Sequence, residues 1–204
     1  MSNFIEQQEQ AWHEIREQFQ CNESPNGPGS TMRATGNVRR ALPAMLRKHK
    51  VRTMLDAPCG DWNWLQHTNI GNVKYTGWDV DQGILDTARQ RAPEGCVFDL
   101  VNLLTVERIP SFDLIMCRDF TIHLPTQNVV DLLAKFAASG SKFLLTTNYP
   151  AGHNIYDFAP EGHDGRPGYY ANPWNLEAPP FSLPGRVDRI AEDDGDHEMV
   201  LFRL

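Results

Sequence analysis

V-R-T-M-L-D-A-P-C-G-D, residues Val51 to Asp61, decides the reading of this chain. Val51, Met54 and Leu55 form a short apolar run that ends on an acid and then on small residues, the pattern of a buried strand emptying into a tight loop. Asp56 falls at the strand's carboxyl end, and in an open parallel sheet ligands bind in the crevice beyond such ends. Gly60 has no side chain to hold a ligand off the backbone, and Pro58 stiffens the approach. Trp62 to Leu65 are expected to open a helix whose first amides favour polar or anionic groups.

Further along, the same motif of a strand closed by an acid returns. Val73 to Asp79 alternates apolar residues, and Asp79 stands 19 residues beyond Gly60. That is close to the interval of about 20 at which an acid on the second strand of a βαβ unit meets a nucleoside ribose. An acid there also caps helices, although Asp81 is equally placed to cap the helix expected over 82–92. Cys96 to Leu100 reads as a third strand, with Asp99 either a solvated loop acid or an acceptor for an exocyclic amine, and the Leu100 amide a donor to a ring nitrogen. Phe112 to Cys117 is the fourth strand. Arg118, Asp119 and His123 then crowd its end, a set of ionisable groups suited to general-base chemistry. A helix over 127–138 and a fifth strand, Phe143 to Thr147, complete the alternation that predicts a doubly wound α/β sheet. Arg186 to Glu192 and Glu198 to Leu204, joined across D-D-G-D-H, read as an antiparallel hairpin.

The 204 residues, 41% hydrophobic, suit one domain spanning 1–204 with a core of ordinary size. Residues 1–50 are expected to form an N-terminal helical cap. Phe4, Ile5, Gln8, Trp12, Ile15 and Phe19 recur at helical spacing, and Ser30 or Thr31 is a candidate cap for a second helix from about Met32 to His49, which Pro43 either kinks or makes start near Leu42. Residues 149–184 hold 7 of the 14 prolines and many aromatics, among them Tyr156, Phe158, Tyr169, Tyr170, Trp174 and Phe181. So long a stretch without helix or strand signal is expected to be a lid over the substrate site.

A net charge of -7, with cations scattered except for Arg39, Arg40, Arg47, Lys48, Lys50 and Arg52, is a poor footprint for duplex nucleic acid. The four cysteines, Cys21, Cys59, Cys96 and Cys117, lack zinc or disulfide spacing and read as reduced thiols. His153, Asp157, His163 and Asp164 match no regular ligand pattern, so no metal is expected. The polar, acidic N-terminus and the lack of any long apolar run lead to the expectation of a cytoplasmic protein without signal peptide or membrane span. G-x-G-x-x-G is absent after the first strand, which disfavours a nicotinamide-dependent oxidoreductase.

The order of strands and acids resembles class I S-adenosylmethionine-dependent methyltransferases, whose Rossmann-like sheets have seven strands, the last two a hairpin. Within that class G-P-G-S-T (27–31), D-A-P-C-G-D-W-N-W (56–64), C-R-D (117–119), H-L-P (123–125), S-K-F-L-L-T-T (141–147) and N-L-E-A-P-P-F-S-L-P (175–184) resemble a group of small, largely uncharacterised bacterial and phage methyltransferases. The resemblance implies S-adenosyl-L-methionine as cofactor, with Asp56, Ala57, Pro58 and Gly60 along its methionine part. It puts Asp79 on the ribose, Asp99 and Leu100 on the adenine, the backbone near Cys117 and Arg118 on the amino group, and Arg39 on the carboxylate. Asp119 and then His123 are the implied catalytic groups, and Tyr149, Trp174, Asn175 and Phe181 the acceptor contacts. The acceptor is expected to be a small molecule or a nucleotide. A nucleic-acid amino-methyltransferase and a non-catalytic cofactor-binding module are the alternatives; A-P-P-F (178–181) follows the fifth strand, whereas an amino-methyltransferase motif of the N-P-P-Y type follows the fourth.

Overall fold

Five short runs of apolar residues become the parallel strands β1 (Thr53–Asp56), β2 (Lys74–Asp79), β3 (Val97–Leu100), β4 (Leu114–Cys117) and β5 (Phe143–Asn148). β6 (Arg186–Ala191) and β7 (Glu198–Arg203) close the sheet as an antiparallel hairpin. The order is β3-β2-β1-β4-β5-β7-β6, with β7 antiparallel to β5. Between β1 and β4 the winding reverses, and the crevice that results is where an open α/β sheet binds ligands. The computed structural model describes residues 2–19, 23–154, 172–193 and 196–204. Cys21, Tyr156, Asp157, Phe158, His163, Asp164, Tyr169 and Tyr170 lie outside the described residues, as do the side chains of Phe4, Ile5 and Gln8.

Alternation along the strands builds two cores, one on each face of the sheet. Met54, Leu114, Met116 and Leu145 face α2 (Gly36–Lys48) and α3 (Gln82–Arg91), whose Val38, Leu42, Met45, Leu85 and Ala88 are buried among them. Leu55, Ile115 and Leu144 face the other way, onto Val129, Leu132 and Phe136 of α4 (Thr126–Ala138). α1 (Ser2–Phe19) adds the buried Ala11 and Ile15. The middles of the interior strands are therefore largely apolar on both faces.

Two local expectations are corrected. No α-helix opens at Trp62: the chain turns there with Trp62 at φ 61° and makes a single 3-10 turn at Leu65–His67, because Trp62, Trp64 and Leu65 are all buried in the core. α2 starts at Gly36, not at Met32. Thr31 spends its hydroxyl on the Pro28 carbonyl and takes the Ala34 amide, and the Asn37 amide is satisfied at 2.7 Å by Asp193 from the hairpin. Pro43 lies inside α2 without ending it; Leu42, Met45 and Leu46 around it are buried, so packing outweighs the missing amide. Among the described residues no helix is long and apolar enough to cross a membrane.

Candidate functional site

At the carboxyl tips of β1, β2 and β4 the chain surrounds a cavity of about 330 Å³, within the range of small-molecule pockets. Its frame is made by the sheet itself. Past Asp56, the Ala57 amide donates to the Met116 carbonyl and the Cys59 amide to Trp78, so the loop is laced between β4 and β2. The Gly60 amide, at φ 59°, donates to Asp79 Oδ2 at 3.1 Å. A Cβ on Gly60 would stand 2.8 Å from Asn26 Nδ2, so this turn needs glycine for both conformation and space.

Asp79 is buried and receives further donors on Oδ1: the Val80 amide at 2.8 Å and Arg16 Nη2 of α1 at 3.0 Å. Arg16 Nη1 also reaches Asp81 at 3.2 Å, and Asp81 caps α3 through the Ile84 amide, which leaves Asp79 free of capping duty. Asp56 is buried beside it with the Tyr75 hydroxyl donating at 2.8 Å. Burial lifts the Asp56 carboxyl to about 7, helped by the Asp79 charge and opposed by the Tyr75 hydrogen bond and by Arg118. A cation entering the cavity would favour its ionised form.

The far end is built by β4, β5 and the hairpin. Asp119 adopts φ 52°, a left-handed conformation that Asp tolerates. Its amide donates to Thr147 Oγ1 at 2.8 Å, and that hydroxyl donates to Asp119 Oδ1 at 3.0 Å. Arg118 is spread over Glu192 (Nε–Oε1 2.9 Å, Nη2–Oε2 3.3 Å), the Gly29 carbonyl (3.0 Å) and Asp119 Oδ2 (2.9 Å). Burial raises the Glu192 carboxyl and Arg118 opposes it. His197, from the hairpin turn, stacks on Tyr149 at 4.9 Å and stands 3.9 Å from Asp119 Oδ1. His123 meets Trp12 of α1 edge to face at 4.6 Å.

A cover of side-chain bonds closes the cavity. Asn26 and Ser24 donate to Asp61 Oδ1 at 2.9 and 3.0 Å, while Arg91 holds Asp61 Oδ2 at 2.5 Å. Asn63 Nδ2 donates to the Ser30 carbonyl at 3.0 Å. The D-W-N segment thus sews the Gly27–Ser30 turn over the strand tips.

Of the residues singled out in the sequence, Asp56, Pro58, Gly60, Asp79, Arg118, Asp119, His123 and Tyr149 line this cavity. Ala57 and Cys117 are buried behind it in the α4-side core. Asp99 and Leu100 are exposed and lie outside the lining. Leu100 is level with Asp79 in the ladder, and the Val101 amide then donates to the Asp79 carbonyl, so the chain delivers Val101, Asn102 and Leu103 to the cavity instead. Arg39 is spent on the Met32 carbonyl and Thr35. Trp174, Asn175 and Phe181 are also outside the lining: Trp174 donates to the Leu124 carbonyl and packs on Phe181, and Asn175 donates to Pro150. The sequence reading missed Arg16, Asn26, the Gly29 turn, Trp64 and His197, all of them lining. Gly29 and Trp64 fell inside the quoted G-P-G-S-T and D-A-P-C-G-D-W-N-W stretches without an assigned role, and Arg16 carried a signal only as the neighbour of Trp12 one helical turn away.

Among the described residues no group of three His, Cys, Asp or Glu side chains is placed to hold a metal. Cys59, Cys96 and Cys117 are free thiols, and burial raises all three.

No family model matches this chain, and no curated protein does. Solved structures do. A possible exported protein from Bordetella parapertussis is 17% identical over 83% of this chain and 68% of its own, with a TM-score of 0.61. The methyltransferase domain of bacterial CtHen1-C is 17% identical over 82% of this chain and 97% of that one, at 0.56. Human N-acetylserotonin methyltransferase in complex with SAM is 14% identical at 0.58, over 81% of this chain and 51% of its own, so the chain spans about half the length of that enzyme. Identities this low speak for the fold alone, and the fold is the Rossmann-like one of these methyltransferases.

Proposed function

We propose that this chain is an S-adenosylmethionine-dependent methyltransferase that moves a methyl group in line onto a small-molecule or nucleotide acceptor. The observation that carries the reading is the pair of buried acids, Asp56 and Asp79, at the tips of adjacent strands in one cavity. Arg16 and the Gly60 and Val80 amides meet Asp79, and the Tyr75 hydroxyl meets Asp56, yet both carboxylates still line the same cavity, where their remaining lone pairs suit a polar ligand.

The donor set fits the group. Asp79 offers acceptor oxygens to a ribose diol. Asp56 offers a titrating carboxylate to an ammonium or sulfonium, and Trp64, Trp78, Val101 and Leu103 offer apolar walls. The bound cofactor would supply an activated methyl. The protein's own share is alignment and exclusion of water, which supply most of the rate in such a displacement. Asp119 would hold the acceptor and take its proton, and Arg118, locked on Glu192, would keep Asp119 in place.

The test is calorimetry of the full chain with S-adenosylmethionine, S-adenosylhomocysteine and NAD. Micromolar binding of the first two and none of NAD is expected. NAD binding, or silence with all three, overturns the reading.

A further inference from the structure

Resting on that methyl-donor reading, we infer that the acceptor is a flat aromatic molecule carrying an amine, held by Asp119 between the Tyr149–His197 stack and the Trp12–His123 pair. Charge is the first argument. Among the described residues the lining guanidinium groups are Arg16 and Arg118, both committed to carboxylates (Arg16 to Asp79 and Asp81, Arg118 to Glu192 and Asp119), and of the two lining imidazoles His197 also lies against acids, 3.9 Å from Asp119 and 4.0 Å from Glu192, while His123 meets Trp12. A carboxylate or phosphate acceptor entering this end would face Asp119 with neither guanidinium turned to it. Such a mismatch is how a site rejects a ligand. An ammonium or a neutral amine meets the opposite situation.

Hydrogen bonding is the second argument. Asp119 is a quarter exposed, toward the cavity, while Thr147 occupies Oδ1 at 3.0 Å and Arg118 occupies Oδ2 at 2.9 Å. A carboxylate accepts about four hydrogen bonds, so each oxygen retains a lone pair for an N–H. Both fixed donors hold the group still, which is the preorganisation a positioned acceptor needs.

Shape is the third. The Tyr149 and His197 rings lie 4.9 Å apart at 22°, and His123 and Trp12 meet at 82°. The turn at Gly29 passes so near that a Cβ there would stand 3.0 Å from Asp119 Oδ2. All four rings line the cavity, and aromatic walls favour a flat aromatic group over a branched one.

The chemistry balances without a further reagent. The bound ammonium gives one proton to Asp119, which passes it to solvent, and the freed nitrogen lone pair attacks the sulfonium methyl. The carbon–sulfur bond breaks, its electron pair stays on sulfur, and a methylammonium leaves beside the neutral thioether.

The experiment compares tyramine with 4-hydroxyphenylacetate, which share a ring and differ in the charge of the side arm, by titration into the full chain saturated with S-adenosylhomocysteine. Tyramine is expected to bind about ten-fold tighter or more, and Asp119→Asn to erase most of that preference while its affinity for S-adenosylhomocysteine stays within about two-fold. Equal or tighter binding of the acid, binding of neither probe, or a preference that survives Asp119→Asn overturns the inference. Failure of S-adenosylhomocysteine itself to bind breaks the methyl-donor reading together with this one. Binding of it without the amine preference breaks this one alone.

Discussion

The strand-tip frame and the cover above it are held by different bonds. In the frame, Asp56 and Asp79 close β1 and β2, locked by the parallel ladder and by the amides of Ala57, Cys59 and Gly60, and Asp119, two residues past β4, is held by Thr147 of β5. The cover consists of α1, the Ser24–Ser30 segment, Tyr149 and His197. Side chains fasten it: Arg16 to Asp79, Asn26 to Asp61, Asn63 to the Ser30 carbonyl and Arg118 to the Gly29 carbonyl. Moving the frame breaks the sheet. Moving the cover breaks a few bonds worth about 1 kcal/mol each. Entry to the cavity therefore belongs to the cover and affinity to the frame.

The largest effect that tests this division comes from Asp79→Ala. It removes the acceptor for a ribose and also strands the Gly60 and Val80 amides and the Arg16 guanidinium. Unsatisfied buried donors cost about 1–3 kcal/mol each. Affinity for S-adenosylhomocysteine is expected to fall about 100-fold or more, and the melting temperature by about 5–15 °C. Calorimetry and thermal unfolding read the two. A frame residue that changed neither would place Asp79 with the cover.

Asp56 gives a smaller effect with a definite sign. Its folded carboxyl titrates near 7, above its unfolded value of 3.8, so the fold prefers the protonated form. The associated stability is complete below pH 4 and is lost as pH rises through 7, on the order of 4 kcal/mol at the upper limit. Asp56→Asn, which still accepts from the Tyr75 hydroxyl, is expected to flatten urea-derived stability between pH 4 and 7.5 and to exceed wild type at pH 8. Wild-type affinity for S-adenosylmethionine is expected to tighten about ten-fold from pH 6 to 8, and that of Asp56→Asn to stay level. An unchanged pH profile in the mutant would mean that Asp56 does not set it.

The frame was legible for the reason that makes it rigid. Buried parallel strands are mostly apolar, so Asp56 and Asp79 stand out as acids closing T-M-L-D and K-Y-T-G-W-D, and Asp119 as the acid two residues past L-I-M-C. Asp99 carried the same signal and misled: β3 is an edge strand, its Val97 and Leu100 are exposed at 50% and 56%, and an acid there costs nothing. The cover had no comparable grammar. His197 comes from beside β7 and reaches the cavity stacked on Tyr149, distant from it in sequence, and Asn63 matters through a carbonyl 33 residues away. The proline and aromatic content of 149–184 suggested a lid; within it Tyr149 lines the cavity, 155–171 lie outside the described residues, and Trp174 and Phe181 pack on each other against the α4 side of the sheet. Composition marked them as special without saying which way they face.

The smallest effect tests the boundary between the two regions. Arg16 belongs to the cover by its helix and to the frame by its ion pair with Asp79, 3.0 Å apart with the Asp79 side chain wholly buried. If a ribose diol takes the same carboxylate, Arg16 must yield part of that contact, and the bond it loses opposes binding by about 0.5–1.5 kcal/mol. Arg16→Gln is therefore expected to tighten S-adenosylhomocysteine binding about 2- to 10-fold while lowering the melting temperature slightly. Limited proteolysis of α1 supplies the second readout. In wild type, saturation with ligand is expected to increase cleavage within α1 by a glutamate-specific protease, at Glu9, Glu14 or Glu17, and in the mutant that cleavage is high with or without it. Weaker binding by Arg16→Gln, with α1 protected by ligand, would show that the guanidinium grips the ligand itself. Arg16 would then join Asp56 and Asp79 in the frame, and the entry path would lie on the side of Tyr149 and His197.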